Sequence, residues 1–248
     1  MRNSKFHSFS IIVAAHNEDK YIADCIRALK LQDYQGEFEI IVVDNASNDK
    51  TQEVSRELGV RVIYEPKKGV SHALISGVRS AMGEILAFTD ADTRPPKEWL
   101  SRLNNVFNLT ENVAAGGPPY YYDGPNWANF FMKNFFSPIY LKFFHERNHG
   151  LPGCNLAVRS DIYYKTGGFT PGFNWGQDWK MGGKASKFGK VIFHPEIYVY
   201  TSFRRFYGNH THPVLKTARA IKEIFIASMR MIPMVYFNTN LKPQKPIR

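Results

Sequence analysis

The chain is 248 residues long, carries a formal net charge of +10 with a pI near 9.5, and is 44% hydrophobic and 22% charged. Its length supports a substantial core, as one large domain or two fused halves, and its charge calls for an anionic partner: nucleic acid, a phosphorylated substrate or an acidic membrane surface. Cys25 and Cys154 form no CxxC pair, which excludes a zinc ribbon or a redox motif and makes a reducing, cytoplasmic compartment the expectation. The opening Met1-Arg2-Asn3-Ser4-Lys5 lacks the apolar core of a signal peptide, and no run reaches the ~18 apolar residues of a spanning helix.

In chain order, Ser10 to Ala14 is a short β-branched run that predicts a strand. Apolar positions at Tyr21, Ile22, Cys25, Ile26 and Leu29 predict a helix over 19–31. A strand over 39–43 follows, then a helix over 50–58 behind the cap-forming Ser47-Asn48-Asp49. A strand over 60–64, a helix over 70–82 and a strand over 85–89 complete the first half. The alternation predicts an α/β fold with a parallel sheet covered by helices, its strand C-termini along one ligand-binding edge. Residues 118–145 then turn aromatic, with Trp127, Phe130, Phe131 and Phe135 among them, either as core or as a surface for an acceptor or lipid. From 213 to 237, Val214, Ala218, Ile221, Phe225, Met229 and Ile232 recur at steps of three and four between basic residues. That predicts a C-terminal amphipathic helix, packed on the domain or lying on an anionic membrane.

Three predicted strands end in acids at the same edge: Glu18 after the first, Asp44 and Asp49 after the second, Asp90 and Asp92 after the fourth. The spacing of Asp90 and Asp92 sends both carboxylates to one side, where they can hold a divalent cation and, through it, a diphosphate. No GxGxxG follows the first strand and no GxxxxGK[ST] occurs, so the phosphates fall to the metal and to basic residues such as Lys67, Lys68, Arg204 and Arg205. His145-Glu146-Arg147-Asn148-His149 fits HExxH, but Gly150 to Gly153 end any helix there and the extended zinc-protease pattern fails. His210-Thr211-His212 reads as a polar loop.

The segments SIIVAAHNEDKYIADCIRAL, EIIVVDNASNDKT, KKGVSHALISGVRSAMGEILAFTDADTRPP, GCNLAVRSDIYYKTGGF and GQDWKMGGKASKFGKV resemble a family 2 glycosyltransferase of the GT-A fold. The resemblance implies a Rossmann-like nucleotide-sugar half over 1–117, an acceptor half over 118–205 and a basic tail over 206–248. It implies an inverting enzyme with Mg²⁺ or Mn²⁺. Ala14, Ala15 and Glu18 would line the nucleoside pocket and Asp44 would take a hydrogen bond from the base. Lys68, Gly69, Arg204 and Arg205 would lie beside the donor. Asp90 and Asp92 would form the DxD metal site, and Asp178 would be the base that deprotonates the acceptor. Gly153, Asn155, Trp175 and Gln177 would shape the acceptor side, with Gln177 standing where the family has Glu. The resemblance implies a nucleotide-sugar donor, and the aromatic and basic stretches 118–145 and 213–237 suggest a glycan, lipid-linked or polyisoprenyl-phosphate acceptor and peripheral contact with the inner face of an anionic membrane. Nucleic acid is not expected, because the basic residues are spread along the chain and no RNP motif occurs. Two alternatives remain: a metal-dependent nucleotidyltransferase, which would release pyrophosphate, and a non-catalytic binding protein of the same fold.

Overall fold

The computed structural model describes residues 5–139, 145–173 and 176–207, and the single positions 219 and 222. The first half alternates as its periodicity predicts: β1 (Phe9–Ala15), α1 (Ile22–Lys30), β2 (Phe38–Asp44), α2 (Thr51–Glu57), β3 (Arg61–Tyr64), α3 (Val70–Ser80) and β4 (Ile85–Asp90). β1 lies between β2 and β4, parallel to both, with Ala15 opposite Asp44 and Ala14 opposite Asp90. Its apolar residues divide between two cores. Phe9, Ile11 and Val13 pack with α1, and Ile12 packs toward α3. Burial of each of these side chains contributes about 1.5–3 kcal/mol. The sheet and α3 approach so closely that a Cβ at Gly77 would lie 2.5 Å from Cγ2 of Ile12.

The chain continues through β5 (Thr93–Arg94), α4 (Trp99–Phe107), β6 (Asn112–Gly116) and β7 (Pro119–Tyr121). α5 (Asn126–Phe131) runs through a π turn at Met132–Phe136 into α6 (Ser137–Ile139). Pro138 lacks the N–H that an α-helical register would use, which favours the wider turn before it. After α7 (Glu146–Asn148) and a 3₁₀ turn at Gly153–Asn155 come β8 (Leu156–Arg159), α8 (Ser160–Lys165), α9 (Gln177–Ala185), β9 (Lys190–Phe193), β10 (Val199–Thr201) and α10 (Arg204–Tyr207).

The main sheet has seven strands in the order β3-β2-β1-β4-β8-β6-β9. Only β8 runs antiparallel to its neighbours. β5, β10 and β7 form a second, three-stranded sheet. Strands from both expected halves, 1–117 and 118–205, therefore share one sheet. The expected amphipathic helix and His210-Thr211-His212 lie outside the described residues, as does Trp175. Among the described residues no helix is long and apolar enough to cross a membrane.

Candidate functional site

The C-terminal ends of β1, β2 and β4 lie side by side at one edge of the sheet, where the loops that follow brace one another. After β1, Asn17 adopts φ 57°. Its N–H donates to Ser47 Oγ at 2.9 Å, and its side-chain oxygen accepts the Asn48 N–H at 2.8 Å. The Glu18 N–H donates to Thr51 Oγ1 at 2.7 Å. After β2, Asp44 is buried and accepts the Ser47 N–H at 3.3 Å. Asn45 shapes the loop before α3. Its amide donates to the carbonyls of Glu65 and Lys67, and its oxygen accepts the Gly69 N–H at 2.7 Å. Gly69, at φ 131°, turns the chain into α3, and Lys68 beside it is exposed. Ala14 is half-buried and Ala15 buried at the floor.

Asp90 and Asp92 flank the buried Ala91. Asp90 is exposed at the strand end, yet protein crowds its carboxylate. That burial, with the charges of Asp92 and Asp178, pushes its carboxyl up to about 7. Asp92 is already engaged: Arg204 Nε donates to it at 2.8 Å and Thr201 Oγ1 at 3.3 Å. The other end of the Arg204 guanidinium grips both oxygens of Glu18, at 2.6 and 2.7 Å. The guanidinium also lies 4.3 Å over the Tyr21 ring. Arg204 thus ties the loop after β1 to the loop after β4. Arg205 is exposed and close enough to lower both Asp90 and Asp178.

Asp178 sits in the first turn of α9, after Gly176 at φ 78°. Burial pushes its carboxyl up to about 6 against the backbone N–H groups of Trp179, Asp178 and Gly153. Gly153 gives the carboxylate room, because a Cβ there would lie 3.0 Å from Asp178 Oδ2. Cys154 joins the same acidic floor, and burial, Asp90, Asp92 and Asp178 together hold its thiol well above its usual range.

Two residues expected on the acceptor side have other duties. Asn155 is 0% exposed, accepts the Trp99 indole N–H at 2.9 Å and donates to the carbonyls of Gly117 and Ile197. It shapes the floor from beneath, with no polar atom left for an acceptor. Gln177 is buried and grips both backbone groups of Thr170. A carboxylate could accept the Thr170 N–H but could not donate to its carbonyl, which accounts for Gln at this position. The structure brings together Glu18, Asp90, Asp92, Arg204, Arg205, Asp178 and Gly153. Asn45, Tyr21 and Thr201 were not singled out from the sequence. Asn45 had a readable signal, an Asx residue at a strand-to-turn junction. Tyr21 and Thr201 had none.

Hard carboxylate oxygens beside a prospective diphosphate suit Mg²⁺ or Mn²⁺. Among the described residues no group of three or more His, Cys, Asp or Glu side chains gathers to hold a metal. Two aspartates with phosphate and water completing the shell is a usual arrangement for such a cation. The charge of Asp92 helps to raise the Asp90 carboxyl, which marks a place where a cation relieves repulsion. Asp90 and Asp92 therefore fit the group.

Residues 10–167 match the Glycosyl transferase family 2 profile. The chain belongs to glycosyl transferase family 2. It is 28% identical over 169 residues to Glycosyltransferase AglE of Haloferax volcanii, covering 64% of this chain and 55% of that one. It is 31% identical over 112 residues to a Dolichol-phosphate mannosyltransferase of Pyrococcus furiosus, covering 43% of this chain and 32% of the relative. It thus spans about half the length of the first curated relative and a third of the second. The fold is shared with the mannosyltransferase PcManGT of Pyrobaculum calidifontis, solved in complex with GDP-Man and Mn²⁺. The TM-score is 0.66 at 20% identity, over 92% of this chain and 65% of that one. A mixed α/β fold with a mostly parallel sheet, the GT-A architecture of the family, is therefore what this family 2 chain adopts.

Proposed function

We propose that this family 2 chain transfers a sugar from a nucleoside-diphosphate sugar to a hydroxyl or lipid-phosphate acceptor, with inversion by single displacement. One observation carries the reading: Asp178, with its carboxyl raised to about 6, lies close enough to Asp90 to raise it, beside the Arg204-bridged pair of Glu18 and Asp92. A carboxylate poised near neutral pH is suited to take a proton from an acceptor hydroxyl. Asp44 and the braced loops after β1 and β2 hold the nucleoside. Lys68, Gly69, Arg204 and Arg205 offset the charge of the diphosphate. Asp90 and Asp92 would hold Mg²⁺ or Mn²⁺, which supplies Lewis-acid stabilisation of the leaving diphosphate when bound.

The lipid-linked or polyisoprenyl-phosphate form of the acceptor has two supports. One is the likeness to a Dolichol-phosphate mannosyltransferase. The other is the exposed ridge of Trp127, Phe130, Phe131, Phe135 and Ile139 along α5 and α6, with exposed Lys133 on the same helix. Aromatic and basic side chains together suit peripheral contact with an anionic membrane.

The test is nucleotide-induced thermal shift with UDP, GDP, CDP and dTDP, with Mn²⁺, Mg²⁺ or chelator, run beside Asp92→Ala. A metal-dependent rise with one nucleotide, absent in Asp92→Ala, is expected. No shift with any nucleotide counts against the donor site. Product analysis separates sugar transfer, which releases a nucleoside diphosphate, from nucleotidyl transfer, which releases pyrophosphate.

A further inference from the structure

The HExxH segment has no part in the donor chemistry, yet its first histidine is buried in a specific place. His145 is 9% exposed. Its Nδ1 lies 3.2 Å from the Gly150 carbonyl oxygen and its Nε2 lies 3.0 Å from that of Val191. Both partners are acceptors only, so a neutral ring donates to one of the two carbonyls, and both nitrogens face backbone rather than a metal. Val191 belongs to β9, which among the described residues is the last strand of the sheet.

The turn that His145 holds is pressed against α9. The His149 N–H donates to the His145 carbonyl at 2.8 Å, and His149 reverses the chain at φ 54°. A Cβ at Gly182 would fall 1.8 Å from the His149 carbonyl oxygen, and one at Gly150 would fall 2.7 Å from the Trp179 ring. Positions 178 and 182 are i, i+4 neighbours, so the turn covers the helix face that carries Asp178. Gly182, which on intrinsic propensity weakens α9, is what lets the turn approach. Downstream, the turn ends at Gly153, whose N–H bonds Asp178, and Thr89 Oγ1 donates to the Cys154 carbonyl at 3.0 Å. The turn is thus tied at one end through His145 to β9 and at the other through Cys154 to Thr89 on β4.

We propose that His145 is a positioning residue: it fixes the Gly150–Gly153 turn to β9, and the turn fixes the Asp178 carboxylate toward the acceptor. The inference rests on Asp178 being the base. The donor loops after β1 and β2 are braced by one another, so loss of this turn's placement is expected to read out in turnover and to leave nucleotide affinity alone.

The test uses the full chain. His145→Phe keeps a ring against Phe193 and His149 but removes the ring N–H that tethers the segment. It is expected to lower kcat about 10- to 100-fold, the scale of a displaced catalytic group, with nucleotide Kd unchanged within about 2-fold. His145→Gln keeps one amide donor and should fall about 3- to 10-fold, between Phe and the parent. In an Asp178→Asn background both substitutions should cost nothing further, because positioning acts only through the carboxylate. Should the Phe protein not fold, His145→Gln carries the same cycle alone. A parental kcat in His145→Gln, a deficit that persists in Asp178→Asn, or a parallel loss of nucleotide affinity overturns the proposal. Failure of the parent reading looks different: Asp178→Asn itself would then retain full turnover.

Discussion

Replacing Asn155 with alanine should destabilise the fold rather than weaken acceptor binding. Its side chain joins Trp99 on α4 to the carbonyl of Gly117 between β6 and β7 and to that of Ile197 before β10, at 2.9, 3.1 and 2.6 Å. Asn155 and Trp99 are both 0% exposed and Ile197 is 1% exposed, so water cannot replace the lost partner. Alanine leaves one indole donor and two carbonyls unsatisfied, each costing about 1–3 kcal/mol. With partial relaxation the loss comes to about 3–5 kcal/mol, a large fraction of the ~5–15 kcal/mol typical of a whole domain. At ~2–4 °C per kcal/mol for a chain of this size, Tm should fall by about 6–20 °C. Thermal unfolding followed by circular dichroism measures this directly, and acceptor KM on surviving folded protein gives the contrast. A Tm within about 3 °C of the parent, together with an acceptor KM raised tenfold or more, would show that Asn155 serves the acceptor and that the reasoning is wrong.

Asp178→Asn should abolish most transfer while keeping nucleotide-induced thermal shift, and parental kcat should fall about tenfold per pH unit below about pH 6, as the carboxyl raised by burial takes up its proton. Because that folded pKa is raised, the ionised group costs stability that is absent below the unfolded value near 3.8 and complete above about 6. Asp178→Asn should therefore raise Tm more at pH 7.5 than at pH 4.5, and paired melts at the two pH values check the sign. Gly182→Ala drives a Cβ into the His149 carbonyl and should cost about 1–3 kcal/mol with reduced kcat, measured by urea unfolding and initial rates. Arg204→Gln leaves Glu18 and Asp92 without their shared cation and should weaken nucleotide-diphosphate binding by about tenfold or more in titration calorimetry. Replacing Phe130, Phe131 and Phe135 together with Ser should remove flotation with anionic liposomes at unchanged Tm, since all three are exposed.

The elements from β1 to β4 were legible because each carries one clean period: β-branched runs for the buried strands, and steps of three and four at Ile22, Cys25, Ile26 and Leu29. The order of the later strands was not. Nothing local in Leu156–Arg159 says that it runs antiparallel between β4 and β6, because that is decided by which long-range edge is free. At the site, the acids after the strands were readable as a group, since a parallel sheet delivers them to one edge. Their pairing was not: that Arg204 bridges Glu18 and Asp92 depends on bringing together residues 186 positions apart. Asn155 and Gln177 show the opposite error. A polar residue beside a site attracts a binding role, whereas burial had already committed every polar atom of both to the backbone and to Trp99.

The placement of β8 has a consequence for synthesis. β6 ends at Gly116 but cannot join the sheet until β8, beginning at Leu156, emerges to bridge it to β4. At ~5–20 residues per second on the ribosome, that is a wait of roughly 2–8 s. During it the nascent chain carries two unsatisfied strand edges, Ile85–Asp90 and Asn112–Gly116, both almost wholly apolar on their buried faces. The donor-side loops are complete by then, while Asp178 and Arg204 have not been made. Nucleotide held by that early fragment would bring no transfer with it, and an expression host short of chaperones should lose this protein at that interval first.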